Sequence, residues 1–345
     1  MTQLGIPRAQ NATTGTTAAE LPRLLALLGK VPLSVARQVG SFIGLVSWLA
    51  SPAYRKKIKT NLALAGYHSG KVPRQAIFEA GRLIAECPYI WSRTPREISR
   101  RILMNCSPEH MAEMAAAEKR GKGVLILTPH LGSFEVAARY YAAHRPITVL
   151  FKPAKIDFIN KWLVAARQVD GINAVPPTVG GLRQMLRTLR QGNIVGLLPD
   201  QVPTGGDGEW SRFFGQPAYT MTLPQRLVEM TGCAVVLCVG ERLDAGRGWR
   251  MHFEPLNEVP TPAVVNARFE QLIRRLPEQY LWGYNRYKVP AGVTPADDPG
   301  SMLRDPHSIL AAPPSEVIGR AVAIDISADA DPTSAVPYPP DVVRQ

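Results

Sequence analysis

A change of periodicity near Lys119 constrains this chain more than any other feature. Residues 21–119 carry apolar positions at helical spacing, broken at Pro32, Pro52, the Gly66 to Gly70 region, Pro88 and Pro95, with no long alternating strand. Beyond them, short apolar runs alternate with helical segments. The order is VLILT at 124–128, a helix over 133–143, ITVLF at 147–151, helices near 157–169 and 179–190, and NIVGLLP at 193–199. A Gly- and Pro-rich loop over 200–219 leads to a helix near 223–231, the strands AVVLCVG and WRMHFEP, and a helix over 263–276. Parallel strands need crossover connections, so strand and helix in alternation predict helices covering the faces of a parallel sheet. The expected architecture is α/β: a mostly parallel mixed sheet flanked by helices, behind a helical amino-terminal region. No internal repeat is present.

Segments without period set the outer boundaries: a flexible leader over 1–20, the helical region over 21–119, the α/β domain over 120–290, and a disordered tail over 291–345 holding nine of the 31 prolines. Charge follows the same division. The tail has three basic residues against eight acidic ones, so its −5 within an overall +12 leaves +17 on residues 1–290. A basic body suits nucleic acid, an anionic membrane or an acidic substrate. Residues 39–50 (VGSFIGLVSWLA) are apolar and uncharged, with Arg37 before them and Arg55, Lys56, Lys57 and Lys59 after. That run is shorter than the roughly 20 residues of a bilayer span. It reads as an interfacial anchor facing anionic headgroups, or else as a buried core helix. The leader lacks the order of a secretory signal. Cys87, Cys106, Cys233 and Cys238 have no metal-site spacing and read as buried small hydrophobes in a reducing compartment.

HLGSFE, residues 130–135, carries the candidate chemistry. A His followed five positions later by an acid occurs by chance roughly 0.5 times in such a composition, so spacing alone says little. Position says more: His130 follows a strand, Gly132 supplies a turn, and Ser133 can cap the helix that Glu135 enters. The carboxyl ends of strands in open α/β sheets are where ligands bind, and a helix amino terminus stabilises an anion. His130 as general base with Glu135 holding its tautomer is one reading; a loop histidine beside a favourable first-turn acid is the other. The remaining histidines have no partner at metal or triad spacing, and no metal site is expected.

Further blocks follow at matching distances: Lys152-Pro153, Arg167, LLPDQ ending at Gln201, RFFGQPAYT from Arg212 and QYLWGYNRYK from Gln279, with RKKIKTNLALAG earlier. Together with HLGSFE they resemble the late acyltransferases of lipid A biosynthesis, the lauroyl and myristoyl transferase family, over about residues 21–290. The resemblance implies a glycerolipid acyltransferase-like fold. It implies transfer of a fatty acyl group from acyl carrier protein to a hydroxyl of a phosphorylated glycolipid, the lipid A precursor, at the cytoplasmic face of the inner membrane beside anionic lipids. It implies His130 as base, Glu135 as its partner, and Arg167, Asp200, Lys152 and Arg286 at the substrate, with no cofactor. Tyr284 and Asn285 depart from the family, many of whose members carry a His and a basic residue there. A lysophospholipid or another glycolipid or aminolipid is the alternative acceptor. A non-catalytic membrane- or nucleic-acid-binding protein is the distant alternative; no nucleic-acid recognition motif is present, and no nucleic-acid partner is expected.

Overall fold

In the computed structural model, which describes residues 23–151, 169–204 and 206–296, the apolar runs line up in one mixed sheet. The strands are β1 (Ile102–Asn105), β2 (Val124–Leu127), β3 (Ile147–Leu150), β4 (Ile172–Val175), β5 (Ile194–Leu197), β6 (Gly208–Phe213), β7 (Gln216–Met221), β8 (Ala234–Arg242) and β9 (Trp249–Leu256). Seven of them form a sheet in the order β1-β9-β8-β2-β5-β3-β4. From β8 to β4 the neighbours run parallel; β9 is antiparallel to β8 and carries β1 parallel to itself. The mostly parallel mixed sheet expected from the sequence is what the chain forms. All four residues of β2 are buried, as a strand covered on both faces requires.

The helices among the described residues are α1 (Arg23–Gly29), α2 (Leu33–Ala50), α3 (Pro52–Leu64), α4 (Lys71–Trp91), α5 (Pro95–Ser99), α6 (Pro108–Lys119), α7 (Phe134–His144), α8 (Val179–Arg190), α9 (Leu223–Thr231) and α10 (Pro262–Arg275). The leader, the tail beyond 296 and nearly all of the helix expected near 157–169 lie outside the described residues. Beyond the expected elements the chain forms β1, β4 and a hairpin, with β4 lying between the helices expected near 157–169 and 179–190. β1 is a four-residue edge strand inside the otherwise helical region. The stretch read as loop over 200–219 contains most of an antiparallel hairpin, β6 and β7, turning at Phe214 (φ 47°) and Gly215 (φ 76°). Two successive left-handed residues match the twist of a tight hairpin. Phe214 costs about 1–2 kcal/mol there; its N–H donates to Glu270 at 2.6 Å, and its ring meets Phe213 and Trp282. Cys233 and Cys238 are buried as expected, but Cys87 and Cys106 are half-buried.

The amino-terminal helices share the core of the sheet. Ile58, Leu62, Ala65 and Ala76 pack in one apolar cluster with Leu125, Leu127 and Leu237, and Leu33, Tyr89, Ile90 and Ile98 in the other with Val124, Ile126 and Trp249. α2 lies backbone to backbone on α4: a Cβ on Gly81 would stand 1.9 Å from the Gly40 carbonyl oxygen, so only glycine fits. Buried charge completes the joint. Arg37 on α2 donates to Glu86 on α4 at 2.9 and 3.0 Å and to Leu243 O at 2.6 Å, while Arg242 on β8 donates to Glu79 at 2.7 Å. Removing one partner from such a network costs about 3–5 kcal/mol, because it strands a buried charge.

The outer face of α2 is apolar and exposed: Val35, Val39, Phe42, Ile43, Val46 and Leu49. α2 is long and apolar enough to cross a membrane, with 28% of its residues buried in the protein. Lys56, Lys57 and Lys59 stand exposed on α3, and Arg55 and Lys59 sit over the Trp48 ring.

Candidate active site

β2 and β5 are neighbours in register, Leu127 opposite Leu197, so the segments leaving their carboxyl ends emerge side by side. His130 leaves one and Asp200 the other. The Asp200 carboxylate takes two hydrogen bonds from His130, one from the backbone N–H at 2.8 Å and one from Nδ1 at 2.6 Å. The pair is enclosed: the imidazole side chain is 14% exposed and Asp200 2%. Behind His130 the turn is fixed to the sheet. Gly132 (φ 62°) lies so close to β8 that a Cβ would stand 2.1 Å from Gly240 O, and Ser133 N–H donates to that same carbonyl at 2.6 Å. Gly132 N–H donates to Gln279 O at 3.0 Å, and Leu281 N–H to His130 O at 3.0 Å. Gln279 in turn clasps Arg242 through both main-chain groups, at 2.8 and 3.1 Å.

Burial by itself would raise the Asp200 carboxyl, but the electrostatic pull of His130, the two His130 hydrogen bonds and the Arg286 guanidinium outweigh it and hold the group below the ordinary aspartate value. An ionised carboxylate only accepts, so Nδ1 donates to it, and in the neutral ring Nε2 keeps its lone pair. That lone pair meets the Gln201 side-chain nitrogen at 3.0 Å, which fixes Gln201 as donor. Phe134 packs edge-on against the imidazole at 4.8 Å. The polarity of the chain, carboxylate to Nδ1–H and Nε2 to an outside donor, is that of a general base.

The sequence candidates fall in different places. His130 and Asp200 are in contact. Glu135, in the first turn of α7, accepts from Trp91 Nε1 at 3.1 Å; the acid on Nδ1 is Asp200, the position in which the sequence placed Glu135. Trp91 closes α4, so the helical region reaches the HLGSFE segment. Arg286 is 2% exposed and is engaged by protein groups. It donates to Tyr219 O at 2.8 Å, Thr220 Oγ1 at 2.6 Å and Asn266 Oδ1 at 3.2 Å, and it acts on the site through its charge beside Asp200. Lys152 and Arg167 lie outside the described residues.

Sequence reasoning missed Gln201, Trp91, Tyr280 and Tyr284. Burial and the Asp200 charge raise the Tyr280 phenol well above its ordinary value, keeping it a neutral group beside the carboxylate. The Tyr284 hydroxyl accepts from Val202 N–H at 2.9 Å, and Asn61 on α3 donates to Trp282 O and Tyr284 O, both at 2.7 Å. Tyr284, where the sequence departs from the family pattern, thus anchors the turn after Asp200. The signal available for Tyr280 and Tyr284 was their place in the QYLWGYNRYK block, and for Gln201 its place at the end of LLPDQ; Trp91 had none of its own. Among the described residues no group of three His, Cys, Asp or Glu side chains could hold a metal ion.

The description "bacterial lipid A biosynthesis acyltransferase" belongs to the family profile that matches residues 22–289. The chain is 24% identical to a lipid A biosynthesis lauroyltransferase of Escherichia coli (strain K12) over 287 residues, 78% of this chain and 91% of that one. A lipid A biosynthesis palmitoleoyltransferase of the same organism is 24% identical over 190 residues, covering 52% and 61%. A lipid A biosynthesis acyltransferase of Shigella flexneri matches to the same extent. With a match spanning the helical region, the His130 turn and the Arg286 block, this chain belongs to the bacterial lipid A biosynthesis acyltransferase family.

Proposed function

We propose that this acyltransferase moves a fatty acyl chain from acyl carrier protein to a hydroxyl of a lipid A precursor, with His130 as general base. The observation that carries the reading is the Asp200–His130 pair at the carboxyl ends of β2 and β5, in which Asp200 engages Nδ1 and leaves Nε2 of the neutral ring to accept a proton. The acceptor hydroxyl gives its proton to Nε2 while its oxygen adds to the thioester carbonyl. The intermediate then collapses, and the thiol of the carrier leaves with the proton from Nε2, giving an ester and a free thiol. No protein nucleophile is needed. Asp200 holds the tautomer and stabilises the imidazolium, and the dipole at the start of α7 favours the negative charge that develops beside it. Glu135, steadied by Trp91, stays at the rim of the site as a substrate-positioning acid. Lys152 and Arg167 are assigned to substrate binding, as the resemblance implies, and the Arg167 guanidinium suits a phosphate of the acceptor.

The exposed face of α2 and the lysines of α3 support docking on the anionic cytoplasmic leaflet, where a phosphorylated glycolipid is presented. Purified full-length protein, incubated with acyl-loaded acyl carrier protein and a lipid A precursor, is expected to form the acylated precursor, and His130→Ala to abolish it. Full activity in His130→Ala would remove the base. In a deletion strain, loss of one secondary acyl chain from lipid A is expected; unchanged lipid A with altered phospholipids would make a lysophospholipid the acceptor instead.

A further inference from the structure

We propose that Gln201 occupies the position of the acceptor hydroxyl on His130 and so guards the acyl donor against water. The inference rests on His130 acting as the base of the transfer described above. A hydroxyl activated at Nε2 must donate into the ring lone pair from about 2.6–3.2 Å. Gln201 already donates there at 3.0 Å. An imidazole nitrogen has one in-plane lone pair, so the amide and the hydroxyl exclude each other.

Gln201 is held in place from both sides. Asp200 before it is fixed by two His130 bonds, and Val202 after it by the Tyr284 hydroxyl at 2.9 Å. The side chain therefore returns to Nε2 whenever the site is empty of acceptor. Such a cap matters because the same base can activate water. Water oxygen would add to the thioester carbonyl, its proton would pass to Nε2, and the thiol would leave with that proton, giving a free fatty acid and a wasted donor. Water offers Nε2 one hydrogen bond and brings no other contact with which to displace the amide. A lipid acceptor with charged headgroups brings binding free energy from contacts remote from the reacting oxygen, and that energy can move the side chain. Gln201 is thus a specificity-determining residue that sets transfer against hydrolysis.

The test uses full-length wild-type, Gln201→Ala, Gln201→Asn and His130→Ala proteins with acyl-loaded acyl carrier protein. Free thiol is read without acceptor, and ester product with a lipid A precursor. Thermal melts confirm that each variant is folded, and Gln201→Asn, one methylene too short to cap Nε2, provides a second variant with the amide retained. Both Gln201 variants are expected to raise the ratio of hydrolysis to transfer by roughly two- to tenfold, the factor set by one neutral hydrogen bond. His130→Ala is expected to lose both reactions. An unchanged ratio in both Gln201 variants, with His130→Ala inactive, overturns the guard and leaves the base in place. Both reactions surviving in His130→Ala overturns the base, and the guard with it.

Discussion

Replacing Asp200 by Asn keeps the size of the side chain and reverses the chemistry of the base. The His130 backbone N–H needs an acceptor and now finds one at 2.8 Å. The Asn oxygen must take that place, which turns the Asn NH2 toward Nδ1, the atom now 2.6 Å from the second carboxylate oxygen. Two donors cannot face each other, so the ring proton moves to Nε2 and the lone pair that accepts the substrate proton disappears. The expected loss in acyl transfer is about 10²–10⁴-fold, the range spanned by general-base catalysis and by loss of a correct imidazole tautomer. Stability falls too, by about 1.5–3 kcal/mol for one charge-assisted hydrogen bond. Because the Asp200 carboxyl lies below its ordinary value of 3.8 in the folded protein, its contribution is complete above that value and is lost as pH falls through the lower one. Urea unfolding should therefore show the two proteins converging in stability in strong acid and separating above it. Steady-state transfer by Asp200→Asn within threefold of wild type, with folding intact, would refute the tautomer assignment.

Trp91→Phe removes the indole N–H that reaches Glu135, together with the pyrrole half of the ring, and keeps an aromatic ring at the position; transfer should fall by roughly tenfold, from a charge-assisted bond worth about 1.5–3 kcal/mol partly recovered by water, and a normal rate would leave Trp91 a packing residue. Gly81→Ala forces a methyl against the Gly40 carbonyl, and the urea midpoint should drop by the equivalent of about 1–3 kcal/mol for an overpacked contact. Phe42→Glu and Val46→Glu alter exposed positions of α2; each should weaken sedimentation with anionic vesicles more than tenfold, given about 1.5–3 kcal/mol for a buried apolar side chain, while leaving the melting temperature unchanged.

Strands buried on both faces are continuous apolar runs, and for that reason β2, β5 and β8 were visible in the sequence. β1 was not: Leu103 and Met104 are exposed, and a four-residue edge strand carries no period. The β6–β7 turn was hidden because Phe-Gly is not a usual pair for successive left-handed residues, and the position depends on Glu270 from a distant helix. The site divides in the same way. His130 and Asp200 could each be found from its own block, yet they are 70 residues apart. Their contact follows from β2 and β5 being adjacent, although β3 and β4 intervene in the chain. Proximity in sequence favoured Glu135 as the partner, whereas the sheet order delivers Asp200. Gln201 depends on the same crossing of strands, and its only local mark is that it closes the LLPDQ block.

Asn61 donates to two carbonyls of the closing block, and α2 and α4 supply charge and apolar bulk beneath β8 and β9. A soluble enzyme therefore cannot be made by cutting away the amino-terminal helices. Deletion before residue 120 would open both sides of the sheet, strand Arg242 and release the segment that pins His130. The practical route is to repaint α2, exchanging its six outward apolar residues for polar ones while Leu33, Ala36, Arg37, Gly40 and Gly44 keep their hold on the body.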